Sequence, residues 1–178
     1  MVSETDCINI QNLFIFGEIE TTTASEVISQ ITETDFEQEN IKELHIYICS
    51  EGGFLSYCFA IIDMIRKIKK EHNITIYTYG LGEISSAGFF LFLLGDVRQL
   101  LPNCRIFVHE HITVDPEPQT YSDRLKADRT TEKLLYKSYF DYTKNQLGIS
   151  DKKVKKLLAK NAWLTKKDIE KYNIVGDN

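Results

Sequence analysis

The chain has 178 residues, a net charge of −5 and a pI near 5.4, with 43% hydrophobic and 26% charged residues. That length suits one domain with a sizeable core, and the acidic balance argues against a nucleic-acid binder, which wants a basic field. The longest apolar run, Ala87 to Leu94, is about half of the roughly 20 residues a membrane helix needs. Met1 to Cys7 is polar and acidic rather than signal-like, so a cytoplasmic location with reduced thiols is expected. Cys7, Cys49, Cys58 and Cys104 form no CxxC or Cys/His cluster, so they give no zinc pattern. The last three sit in apolar stretches, as small core residues do.

Asn12 to Phe16 predicts a short strand stopped at Gly17. Thr23-Ala24-Ser25-Glu26 has capping-box spacing, followed by an apolar face of Val27, Ile28 and Ile31. Leu44 to Cys49 predicts a strand bounded by Ser50-Glu51-Gly52-Gly53. Ile61, Met64, Ile65 and Ile68 then recur at helical spacing. Arg66, Lys67, Lys69 and Lys70 crowd the C-terminal end of that helix, where the dipole favours cations. Ile74 to Tyr79 predicts a third strand, which completes a βαβ unit and points to a parallel sheet. A helix from near Ser86 to Leu94 ends at Gly95, and short strands follow at Val97 to Leu100 and Arg105 to His109. Asp115-Pro116-Glu117-Pro118 marks a loop. Thr120 to Leu147 predicts one long helix, capped at Thr120 or Ser122 and stopped at Gly148, whose Leu135, Tyr139 and Tyr142 project or pack against something. Ser150 to Lys160 predicts a helix with Val154, Leu157 and Leu158 inward. Thr165-Lys166-Lys167-Asp168 caps a last short helix, which Asn173 ends in the left-handed conformation.

Three features fall where α/β folds place their sites. Gly52-Gly53 follows a strand; it fits a plain turn, and equally a backbone that approaches a ligand and offers it N–H groups. In Gly80-Leu81-Gly82-Glu83-Ile84-Ser85-Ser86-Ala87-Gly88, a strand ends, glycines turn and a serine opens an apolar helix. That serine fits an N-cap, or a nucleophile at the positive end of a helix. His109 ends a strand, with His111 on the same side and Glu110 pointing away. His45 reads as structural or surface, and His72 as solvated.

The order and spacing of these features resemble the proteolytic subunit of the Clp protease, ClpP, a family of serine endopeptidases. HIYICSEGG resembles that family's strand and Ser-Pro-Gly-Gly. GEISSAGFFLFLLG is similar to its segment around the nucleophile, and LPNCRIFVHEH to its segment with the catalytic histidine. WLTKKDIEKYNIVGD is similar to its C-terminal run. The resemblance covers about Asn12 to the C-terminus. It implies an α/β fold, a ClpP/crotonase-like spiral of repeated ββα units in a single domain over 1–178, with 110–148 as a projecting helical handle region. It implies Ser86 as nucleophile, His109 as general base, and the backbone N–H groups of Gly53 and Ala87 as the oxyanion hole. It implies no cofactor and no metal. The implied partners are polypeptide substrates, bound partly as a strand added to Gly52-Gly53, other copies of the chain in a homo-oligomeric ring that stacks as a double ring, and an ATP-dependent unfoldase, with no nucleic acid and no membrane.

Where the family has its third catalytic residue, an aspartate, this chain has Asn161. An amide oxygen accepts the His109 Nδ1–H bond but brings no charge to an imidazolium; in a trypsin-like triad this swap lowers turnover about 10⁴-fold, while papain-like sites use Asn natively. Glu110 and Asp115 are the nearby carboxylates that substitute for it in principle. Glu51 replaces a proline, Ala87 a methionine, and Glu83 and Ile84 small residues near the nucleophile. A Pro116/Pro118 loop replaces the glycine-rich handle strand. Two alternatives therefore stand beside a working peptidase: a weak or inactive structural or regulatory ring subunit, and a viral-type maturation protease of the same fold.

Overall fold

A computed structural model describes residues 9–110 and 122–177, with side chains at 9–110 and 133–176. The order is β1 (Asn9–Ile19), α1 (Thr21–Glu33), β2 (Ile41–Gly53), α2 (Leu55–His72), β3 (Thr75–Ser85), α3 (Ala87–Phe92), β4 (Val97–Leu100), β5 (Arg105–Val108), α4 (Ser122–Leu147), α5 (Asp151–Leu158), β6 (Ala162–Trp163), α6 (Lys166–Lys171) and β7 (Gly176–Asp177). Strands run β1-β2-β3-β4-β7 across the sheet, and β5 joins β3 to β6. The β1-β2, β2-β3, β3-β4 and β3-β5 pairs are parallel, and the β4-β7 and β5-β6 pairs antiparallel. This is the mixed α/β, parallel-rich architecture expected from the sequence.

The pleat explains which face is buried. Leu44, Ile46, Ile48 and Ser50 of β2 point to the core, while Glu43, His45, Tyr47 and Cys49 point to the other face. Helix α2 answers with Leu55, Cys58, Ile61, Ile62, Ile65 and Ile68. Met64 is only half-buried, because the apolar stripe turns toward Cys58 and Ile62 and leaves Met64 at its edge. The helix ends where Asn73 takes the left-handed conformation, φ 51°. Lys69 in its last turn pairs with Asp96, whose other oxygen accepts from Ile76 N at 2.9 Å, so α2, β3 and the entry to β4 are tied together.

The sheet splits at β3. Tyr77 to Gly80 pair with β4, and Glu83 to Ser85 pair with β5. Between these halves the β2-β3 register jumps, from Ile48↔Gly80 to Ser50↔Ile84. The extra residues bend β3, as a bulge does, and steer its C-terminal end away from β4. Gly80 permits the bend, since a Cβ there would lie 2.6 Å from both Ile84 and Leu100.

Several local expectations differ from the structure. β1 continues past Gly17 to Ile19 through a register shift between Phe16 and Glu18. β3 continues six residues beyond Tyr79, because the bulge, not a strand end, answers its glycines. Thr23 does not cap α1: the helix starts at Thr21, and the Thr23 hydroxyl donates to Glu18 O at 2.7 Å. The buried α1 face is Ala24, Val27 and Ile31, with Ile28 at its margin. His72 is half-buried rather than freely solvated, with its ring stacked on Phe36 at 5.2 Å between centroids. The long helix, the α5 face, the α6 capping box and the left-handed Asn173 match the sequence reading. The Pro116/Pro118 loop, His111, Asp115 and Thr120 lie outside the described residues.

Candidate active site

The end of β2 is built to meet another backbone at close range. Gly52 and Gly53 have φ of +108° and +142°, which side chains rarely adopt. A Cβ on Gly52 would lie 2.5 Å from Ser86 Cβ and 3.1 Å from Ala87 N, and one on Gly53 would run into the Ile19 backbone. Ser50 pins this turn. Its buried hydroxyl donates to Gly17 O at 2.6 Å and accepts from Gly52 N at 3.0 Å. The sequence signal for Ser50 is a small polar residue on the buried face of an apolar strand.

Ser86 joins β3 to α3. Its φ of +51° and ψ of −121° are strained for a residue with a Cβ and make a sharp strand-to-helix turn, the shape that exposes a nucleophile at the top of a sheet. Its amide approaches Phe107 O at 3.4 Å, which ties the turn to β5. Ala87 opens α3, so its amide has no partner within the helix. The six residues of α3 are all buried, and Gly88 lets the helix sit on β2: a Cβ there would be 3.1 Å from Ser50 O.

The β3-β5 ladder pairs Ser85 with Phe107, which brings His109 up beside Ser86. The two residues share a cavity of about 80 Å³ with Gly53, Leu55, Phe89, Phe90, Val108 and Tyr139. Among the described residues there is no direct bond from the Ser86 hydroxyl to the His109 ring. His109 Nδ1 lies 2.6 Å from the carbonyl oxygen of Glu110. Leu55 and Tyr139 escaped sequence reasoning as cavity walls, because α2 and α4 reach the site only in three dimensions. Tyr142, one turn beyond Tyr139, is buried and donates to Phe90 O at 2.9 Å, which docks α4 on α3. Burial pushes its phenol well above the ordinary range.

Asn161 precedes β6. The β5-β6 ladder pairs Val108 with Ala162, so Asn161 stands one residue beyond the ladder, across from His109. It has φ +47°, is exposed, and makes no side-chain hydrogen bond among the described residues. The structure therefore brings Ser86, His109, Gly53 and Ala87 together and sets Asn161 nearby without joining it to the ring.

Two of the cysteines, Cys58 and Cys104, favour the protonated thiol. Cys58 donates to Ala87 O at 3.3 Å, and burial pushes its pKa far up. Cys104 is pushed up to about 11, by burial first and by its neighbour Cys49 second.

A family model described as Clp protease matches residues 5–177. The chain is 26% identical to an ATP-dependent Clp protease proteolytic subunit 2 of Treponema denticola, over 94% of this chain and 81% of that protein. It is 27% identical to an ATP-dependent Clp protease proteolytic subunit of Borreliella afzelii, over 92% of this chain and 80% of that one. A further relative of the same description, from Borrelia garinii, is 28% identical over 92% of this chain and 81% of its own length.

Proposed function

The chain belongs to the Clp protease family, and from that premise we propose that it is a serine endopeptidase acting through an acyl-enzyme on Ser86. The observation that carries the reading is the strained turn that places Ser86, at φ +51°, on the wall of a cavity it shares with His109 and Gly53.

The peptide lies against the Gly52-Gly53 backbone, and the side chain before the scissile bond enters the cavity. Ser86 Oγ attacks the carbonyl carbon while His109 Nε2 takes its proton. The N–H groups of Gly53 and Ala87 meet the tetrahedral oxyanion, an effect worth roughly 3–4 kcal/mol per donor in other enzymes. His109 returns the proton to the leaving amine as the C–N bond breaks. Water then attacks the Ser86 ester, giving its proton to His109, and the acid product leaves with Ser86 Oγ reprotonated.

The unit is one peptidase domain over 1–178, working in the cytoplasm as a subunit of a homo-oligomeric ring. The relatives' description as ATP-dependent supports a separate ATP-using partner that delivers polypeptides. One observation favours a second reading, a catalytically silent ring subunit: no carboxylate reaches His109 among the described residues.

Fluorophosphonate labelling with intact-mass detection separates the two readings. An adduct on Ser86 in the wild type, lost in Ser86→Ala and in His109→Ala, is expected. A wild type that forms no adduct refutes the peptidase and leaves the silent subunit.

A further inference from the structure

We infer that the main-chain carbonyl of Glu110, not the side chain of Asn161, holds the His109 ring in its working tautomer; the inference rests on the peptidase reading above. Nδ1 and Glu110 O are 2.6 Å apart. A carbonyl oxygen only accepts, so this bond requires the proton on Nδ1. The neutral ring then keeps its lone pair on Nε2, the atom a general base uses.

A triad gives this task to a residue reaching in from elsewhere in the fold. Here Asn161 stands at that place, across the end of the β5-β6 ladder, yet its side chain is exposed and bonds to nothing among the described residues. Its identity has a separate cause. Asn161 has φ +47°, and the other left-handed asparagines, Asn40, Asn73 and Asn173, have φ of 47°, 51° and 55°. Apart from Ser86, these are the only non-glycine residues with positive φ among the described residues. Asparagine is the side chain that tolerates this conformation best, so the backbone alone accounts for Asn161. The Glu110 carbonyl follows the imidazole directly in the chain and holds its place without the rotamer entropy an exposed amide would lose. Being neutral, it orients the ring but adds no charge against an imidazolium, which makes Glu110 a positioning residue through its backbone.

The test uses the full chain labelled with ¹⁵N-histidine, with ring nitrogens read by long-range ¹H–¹⁵N correlation and His109 assigned from its lost signals in His109→Gln. Wild type and Asn161→Ala are both expected to show a protonated Nδ1 and an unprotonated Nε2, and Asn161→Ala to label at Ser86 within about twofold of wild type. A ring protonated on Nε2 in the wild type, a change of tautomer in Asn161→Ala, or labelling about tenfold slower in that variant overturns the inference. Replacing the amide after Glu110 by an ester weakens that carbonyl as an acceptor and leaves every side chain in place; labelling about fivefold slower or more is expected, and an unchanged rate assigns the ring to another partner. Absence of any wild-type adduct sinks the peptidase reading alone, because the ring spectra still decide the tautomer.

Discussion

Ser86 carries backbone strain that a catalytically silent replacement can remove. Its φ of +51° costs a residue with a Cβ about 1–3 kcal/mol, and glycine avoids that cost at the expense of a more disordered unfolded chain. Ser86→Gly is therefore expected to be more stable than Ser86→Ala by about 1 kcal/mol in urea denaturation; equal midpoints would mean the turn holds no strain. Gly52 has the opposite sensitivity. A Cβ there would sit 2.5 Å from Ser86 Cβ, so Gly52→Ala is expected to cost about 2 kcal/mol or more and to abolish Ser86 labelling. Normal labelling in that variant would show that the two backbones have room to separate. At this scale the sequence was legible for position: Ser86 stands where a strand gives way to an apolar helix and His109 at the end of a strand, and the structure puts both on one cavity, whereas Gly53 and Ala87 were named only through the family resemblance. Asn161 was harder, because its type serves both a hydrogen-bond role and a left-handed backbone, and only the φ value tells them apart.

Elements were legible where their signals are local. Helix α6 is the clear case: the Thr165 hydroxyl accepts from Asp168 N at 3.3 Å, and the Asp168 carboxylate accepts from Thr165 N at 3.1 Å. Thr165→Ala is expected to cost about 1 kcal/mol, read from the urea midpoint. The same box makes an acid-sensitive clamp. Bonds from the Thr165 side chain, from its backbone and then from Lys160 hold the Asp168 carboxyl down at about 2, below the usual 3.8. A depressed carboxylate adds stability above its unfolded pKa and loses it as pH falls through its folded one. The wild type is therefore expected to lose stability between about pH 4 and pH 2, and Asp168→Asn to lose less across that window; parallel stability curves for the two would place the acid sensitivity elsewhere. Thr23 shows the limit of pattern matching. Its capping-box spacing is present, but β1 runs on to Ile19 and moves the helix start to Thr21, so the hydroxyl donates to Glu18 O.

Across the whole molecule, helices α1, α2 and α3 cover one face of the sheet, while the other carries an aromatic ladder. Phe14, Tyr47 and Tyr79 are register neighbours on three strands, with rings 5.1 and 4.9 Å apart. Phe14 is 57% exposed and Phe16 55%. Parallel strands are usually covered on both faces, and apolar surface of this kind marks contact with another chain. An assembly larger than a monomer is expected by analytical ultracentrifugation, and a monomer at every concentration would refute the ring. A buried cation also braces the C-terminal segment. Arg98 donates to the carbonyls of Gly95, Asn173 and Ile174 at 2.8–3.1 Å, which ties β4 to the segment that leads into β7. Arg98→Met removes these three hydrogen bonds from a buried site and is expected to cost about 3 kcal/mol in urea denaturation; a loss of only a few tenths would mean they contribute little to stability.

The sequence by itself, though not showing the two-residue strands β6 and β7, determined the order of β1 to β5 and of the six helices, the apolar faces of α2 and α5, and the α6 cap. Each depends on a period, a cap or a turn residue within a few positions of its neighbours. Tertiary structure decided the split of β3 between β4 and β5, the walls that Leu55 and Tyr139 give the cavity, the pinning of Gly52 by Ser50, and the Glu110 carbonyl beside His109. Those depend on register and on which surfaces meet, and no short stretch of sequence carries that information, because the contacting residues lie tens of positions apart and are selected only by packing.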